Sequence, residues 1–224
     1  MESENSIDRC RVVLIAPTDL ADDAGVAAVK NALSGGDVAC VILPAGERGE
    51  EAFQDYAEKL VPVVQDAGAA LMLESETRIV SRVKADGVHL GPKVADLADV
   101  TDRVEGRMMI GAGGRLTRDE ALALGELRPD YVFLGLFGKD TTPEPYERNL
   151  TLARWWAEMV EVPLVVQGGN AVASVVAVAE AGADFVALAS AVFAEGLEPK
   201  VQVAMANALL DEKAPRFEGF SGKK

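Results

Sequence analysis

Two cysteines, one histidine and few aromatic side chains mark this 224-residue chain by what they exclude. A disulfide framework needs more cysteines in a shorter chain. Cys10 and Cys40, each in an apolar strand-like run, therefore read as reduced, buried thiols. With His89 the sole histidine, a multi-histidine metal centre is excluded and a Ser-His-Asp triad has one possible location. Positive charge is scarce as well: 22 Lys and Arg stand against 36 Asp and Glu, a net charge of −14. That balance argues against nucleic acid and against an anionic membrane surface. A phosphate ligand stays open, because a local nest of backbone N–H groups holds an anion on an acidic protein. Long apolar runs are missing, since charges such as Glu180 and Asp184 interrupt them, so no membrane span is expected. The opening MESENSIDRC is polar and acidic and shows no secretory signal, which makes a cytoplasmic protein the expectation.

What the chain does have is an alternation of strand-like and helix-like runs. VVLIAP (12–17), DVACVIL (37–43), AALMLE (69–74), DGVHLG (86–91), RMMIGAG (107–113) and DYVFLG (130–135) read as six strands. VPLVVQGGNA (162–171) and GADFVALASAVF (182–193) carry the seventh and eighth. Helices are expected near 22–34, 49–66, 76–84, 117–127 and 149–160, with a short one ending near Asp102. The second follows the spacing of Phe53, Tyr56, Leu60 and Val64, and Thr117 with Glu120 forms a capping box for the 117–127 helix. Short Val/Ile/Leu runs separated by amphipathic helices indicate parallel strands buried on both faces. Eight such units fit a single (β/α)8 TIM barrel over residues 1–214, with an open doubly wound sheet as the other α/β possibility. PRFEGFSGKK (215–224) is expected to be a flexible tail.

Functional residues of such a barrel lie at the C-terminal ends of its strands. The two last junctions end in small residues, Gly168 and Gly169 in one and Ala189, Ser190 and Ala191 in the other. Small residues let a ligand approach the backbone, and N–H groups at a helix start attract anions. Loops after strands seven and eight are the usual phosphate site of this fold, so a phosphorylated small molecule is the expected partner. The other reading of Gly168 and Gly169 is a plain strand-to-helix turn. Gln167 either reaches ligand or fills the mouth, and Asn170 either contacts ligand or caps its helix. His89 is equally a packing histidine or a ligand contact. Lys139, on the long 136–148 loop, closes over an anion or is a solvated lysine. Arg48 and Arg115 are the other cations near loop tops, and Glu74 is an acidic residue at the end of strand three.

On ADGVHLG (85–91), MIGAG (109–113), PDYVFLGLF (129–137), VPLVVQGGN (162–170) and GADFVALASAVF (182–193), the chain resembles the thiamine phosphate synthase and thiazole tautomerase (TenI-like) family. The resemblance implies an eightfold barrel. It implies a transferase that joins hydroxymethylpyrimidine diphosphate to thiazole phosphate and releases pyrophosphate with help from Mg²⁺. Carried over, the thiazole-phosphate cradle falls on Gly168, Gly169, Ala189 and Ser190. His89 takes the family's histidine position, and Lys139 lies in the loop that closes on pyrophosphate; these two are the implied catalytic residues.

Other positions depart from the pattern. Strand two ends in Val41, Ile42, Leu43, Pro44 and Ala45 where synthases carry Gln-Leu-Arg-Glu-Lys. Glu74 and Ser75 replace Asn-Asp, and Pro92, Lys93 and Val94 replace an acidic segment, with Asp96 two residues late. Gly113, Gly114 and Arg115 stand where a Ser or Thr and a His are usual. No metal ligands are therefore assigned. Unpaired diphosphate charges in a partly desolvated pocket cost several kcal/mol each, so the alternative is a repurposed phosphate-binding barrel that has lost the diphosphate and Mg²⁺ half. A homodimer is the expected assembly of so small a barrel.

Overall fold

The Val-, Ile- and Leu-rich runs form eight parallel strands that close on one another in sequence order. The computed structural model describes residues 8–104 and 106–217. The strands are β1 (Arg11–Ile15), β2 (Cys40–Leu43), β3 (Ala70–Leu73), β4 (Gly87–Leu90), β5 (Met109–Gly114), β6 (Tyr131–Leu134), β7 (Leu164–Gln167) and β8 (Phe185–Leu188). β8 pairs back onto β1 through Arg11–Phe185 to Leu14–Leu188, which settles the barrel over the open sheet. Helices follow the strands: α1 (Asp22–Leu33), α2 (Glu50–Asp66), α3 (Thr77–Val83), α4 (Val94–Val104), α5 (Arg118–Gly125), α6 (Glu147–Met159), α7 (Ser174–Glu180), α8 (Ser190–Phe193) and α9 (Pro199–Lys213).

Alternation along each strand divides the apolar residues into two cores. Outward residues such as Leu14, Val41, Leu71, Val88, Val132 and Val186 pack under the helices. Phe53, Tyr56, Leu60 and Val64 supply the buried face of α2, at the spacing that marks the helix in the sequence. Inward residues, among them Ile15, Ile42, Met72, Tyr131, Phe133 and Val165, fill the barrel. The capping box is present in full: Thr117 Oγ1 accepts from the Glu120 N–H while Glu120 accepts from the Thr117 N–H.

An aspartate precedes each of three even-numbered strands and performs one task. Asp86 accepts the N–H of Leu71, Asp130 that of Ile110, and Asp184 that of Leu164, at 2.8, 2.6 and 2.8 Å. Each carboxylate thus satisfies a backbone donor at the start of the preceding strand, at the N-terminal face. Asp37, before β2, pairs instead with the Arg11 guanidinium. The aspartates inside ADGVHLG, PDYVFLG and GADFVAL therefore belong to the stability face of the barrel, away from the mouth.

Two differences from the sequence reading concern the C-terminal region. Helix α9 buries Val203, Ala206 and Leu210 and packs against α1, α7 and β1. The expected flexible tail is anchored at its start: Arg216 bridges Arg9 in antiparallel fashion, the Phe217 N–H donates to the Asp8 carbonyl, and Arg216 pairs with Asp8. Residues 218–224 lie outside the described residues.

Candidate active site at the C-terminal mouth

The 135–146 loop after β6 folds over the ends of β7 and β8 and is bonded to both. Gln167, buried at the end of β7, accepts the Leu136 N–H on Oε1 at 2.6 Å. Its Nε2 is enclosed without a partner, an unsatisfied donor of the kind that water or ligand relieves. Further along the loop, the Thr142 carbonyl accepts the Asn170 N–H at 2.8 Å. A Cβ at Gly169 would collide with the carbonyls of Thr142 and Pro143, so only glycine permits this approach. Gly168 donates its own N–H to the Ala187 carbonyl. At the end of β8, Asp140 is only 5% exposed, and its carboxylate accepts the Ser190 N–H at 2.7 Å.

The Ser190 amide, carried over as part of the phosphate cradle, here holds the carboxylate of Asp140. Asn170 does not cap a helix, because α7 begins at Ser174 and its N-cap is Ala173 with no side-chain cap bond. The Asp140 side chain thus occupies the first backbone donor of α8.

A cavity of about 630 Å³ opens beside this contact over β1, β2, β3 and β8. It gathers Glu74, Ala189 and Ser190 with Asp140, Asp19 and Glu195, so its charged lining is acidic. Glu74 is partly committed, since Oε2 accepts the Ala45 N–H at 2.9 Å. Arg48 does not supply a mouth cation: it donates to the Thr18 and Leu20 carbonyls and stacks on Tyr56 at 4.5 Å. Among the described residues no three His, Cys, Asp or Glu side chains converge on a point where a metal could sit.

His89 lies inside the barrel rather than on its rim. The register places Gly111 between His89 and Tyr131 on adjacent strands. Because Gly111 has no side chain, the two rings meet across it, with His89 Nδ1 and the Tyr131 hydroxyl at 2.8 Å. Phe133 and Phe137 pack on the imidazole at centroid distances of 5.4 and 5.2 Å. Burial lowers the His89 pKa from 6.5 to about 3 and raises that of Tyr131 well above 10. A neutral imidazole held in this way wedges the floor of the mouth; its burial opposes the proton uptake that acid–base work requires. Burial likewise pushes both thiols up, Cys10 to about 12, in keeping with inert cysteines.

Lys139 is exposed and does not line the cavity that contains Ser190. Its carbonyl accepts the Tyr146 hydroxyl at 2.8 Å, which braces the loop from within. Sequence reasoning missed Asp140, Phe137 and Tyr131. Tyr131 and Phe133 had a visible signal, two large rings beside the glycines of MIGAG, whereas Asp140 had none.

The model of the family described as thiamine monophosphate synthase matches residues 12–192. The chain belongs to the thiamine monophosphate synthase family. A thiamine-phosphate synthase of Rhodospirillum centenum is 33% identical over 202 residues, covering 90% of this chain and 98% of that protein. One from Hyphomonas neptunium is 31% identical over 212 residues, covering 92% and 96%. Among solved structures, thiamine phosphate pyrophosphorylase from Pyrococcus furiosus superposes with a TM-score of 0.76 at 21% identity, covering 92% and 97%. A geranylgeranylglyceryl phosphate synthase from Thermoplasma acidophilum gives a TM-score of 0.67 at 12% identity, covering 91% and 94%. At these identities the structural likenesses speak for the barrel, and the family rests on the sequence match.

Proposed function

We propose that the protein is a thiamine-phosphate synthase, joining hydroxymethylpyrimidine diphosphate to thiazole phosphate with release of pyrophosphate. The observation that carries this reading is the extent of the family match, which runs through the whole barrel from residue 12 to 192. The two synthases described above are matched over nearly their full length as well.

In this reading the thiazole phosphate sits at the ends of β7 and β8, on Gly168, Gly169, Ala189 and Ser190, and takes the Ser190 N–H from Asp140. One oxyanion replaces another on the same donor, so the exchange need not leave a buried amide unpaired. Displacing Asp140 and the Thr142 carbonyl opens the 135–146 loop, and Lys139, adjacent to Asp140, moves with it toward the anion. Gln167 offers its unpaired Nε2 at the base of the loop, and Asn170 its N–H once Thr142 withdraws. His89 and Tyr131 act as a neutral wall, which makes His89 a positioning residue. Glu74 faces the same cavity from β3. Synthases of this family use Mg²⁺ with the diphosphate, and no step here is assigned to the ion. We take the protein to be a cytoplasmic homodimer; no helix among the described residues is long and apolar enough to cross a membrane.

The test is turnover of the two purified substrates with Mg²⁺ supplied. Pyrophosphate release in step with thiamine phosphate is the expected result. No product, together with failure to restore growth of a synthase-deficient strain, overturns the reading. The alternative of a repurposed binding barrel draws on the departures after β2, β3, β4 and β5, whereas both relatives named above are synthases.

A further inference from the structure

Helix α9 is apolar on two sides. It buries Val203, Ala206, Asn207 and Leu210, yet Val201 and Met205 on its outer side are 50% and 47% exposed. Ala204 and Ala208 are exposed as well, so the outer side carries apolar residues at the i, i+3, i+4, i+7 spacing of a buried face. Charge is missing from this surface. Residues 201–210 contain no Asp, Glu, Lys or Arg on a chain whose residues are 26% charged. Helix α7, which lies against α9, has none from 171 to 179. Exposed apolar side chains with the charges moved to the edges have the composition of an interface core.

Charge and shape identify the occupant. At a net charge of −14 two copies of this chain repel over most of their surface, and a charge-free face is where they approach at least cost. The outer side of α9 is also self-complementary. A two-fold axis between Ala204 and Met205 sets Val201 against Ala208, and Met205 against Ala204, of the other copy. Each larger side chain then packs over a small one. The same axis brings the exposed Lys200 of one copy to within about one helical turn of the exposed Glu212 of the other. Neither residue forms an ion pair among the described residues.

We propose, resting on the homodimer reading above, that α9 is the contact face of a two-fold dimer in which the α9 helices of two copies pack antiparallel on Val201, Ala204, Met205 and Ala208.

Sedimentation of the full chain and disulfide capture test it. The wild type should sediment as a dimer. Met205→Glu sets two carboxylates against each other beside the axis and should weaken the dimer about a hundredfold or more. Its far-ultraviolet circular dichroism should be unchanged, because position 205 is exposed. Val201→Cys/Ala208→Cys should form a covalent dimer on mild oxidation, and neither single variant should. Met159→Glu, at an exposed apolar position on α6, should leave the dimer intact. A dimer that survives Met205→Glu and escapes disulfide capture overturns the α9 face while keeping the homodimer. A dimer broken by Met159→Glu instead moves the contact to α6 and overturns it too. A wild type that stays monomeric overturns both. None of these readouts involves turnover, so the synthase reading is tested apart from them.

Discussion

The Asp140 carboxylate and the Ser190 backbone N–H, fifty residues apart in sequence, meet at 2.7 Å where β8 passes into α8. Any phosphate that uses this donor competes with a side chain already in place. Asp140→Ala should therefore tighten binding of inorganic phosphate, and Asp140→Asn should do so less because its amide oxygen still accepts. A hydrogen bond to a charged group contributes about 1.5–3 kcal/mol, so a gain of roughly tenfold or more is expected for Asp140→Ala. Titration calorimetry, with Ser190 amide exchange as a second readout, checks it; unchanged affinity in both variants would show that phosphate does not compete for this donor.

His89 links stability to pH with a definite sign. Its pKa is lowered to about 3 in the folded protein and is near 6.5 when unfolded, so below pH 6.5 the unfolded chain binds the extra proton. Stability should fall by up to about 1.4 kcal/mol per pH unit as the solution is acidified below 6.5, and be insensitive to His89 above it. Since the chain has one histidine, His89→Gln should flatten the profile between pH 6.5 and 5. Urea unfolding across that range decides.

Gly111 makes room for the His89–Tyr131 contact, and a Cβ there would penetrate the Tyr131 ring. Gly111→Ala should cost about 1–3 kcal/mol by overpacking. Gly106→Ala tests a different effect, since that glycine has open space around it but a positive φ of 73°. Equal losses measured by chemical denaturation would contradict the packing argument only if Gly111→Ala also left the Tyr131 environment unchanged by near-ultraviolet circular dichroism.

Asp86 shows how much the strand-end aspartates contribute. Its carboxylate accepts from the Leu71 N–H and from Gln65 Nε2. Asp86→Ala should cost about 1–3 kcal/mol, with Leu71 left unpaired at the N-terminal face. Phosphate binding at the opposite face should be unaffected, a separation that thermal melts with and without phosphate will show.

The strands were legible because a parallel barrel buries both faces of each, leaving uninterrupted Val, Ile and Leu runs. Thr117 and Glu120 were legible because a capping box is local. Helix α9 was not, since its buried Val203, Ala206, Asn207 and Leu210 mix with exposed Val201 and Met205 and blur the helical period. The contact of His89 with Tyr131 across Gly111 joins three strands, and no local pattern announces it. Asp140 was beyond reach: a loop carboxylate acquires its partner from the way β6 and β8 are set in the closed barrel, and no local pattern carries that information.

Where β1 and α9 meet, the Arg9 guanidinium donates to Asp211 Oδ1 at 2.7 Å and to Asn207 Oδ1 at 3.1 Å, a clamp between the two ends of the chain. Its consequence concerns synthesis. While the ribosome is still adding residues before 185, β1 has only β2 as a neighbour and one edge of hydrogen-bonding groups stays open. Closure waits for β8, and the clamp for a further helix, so nascent chains stalled in that interval should be the species most prone to pair with one another.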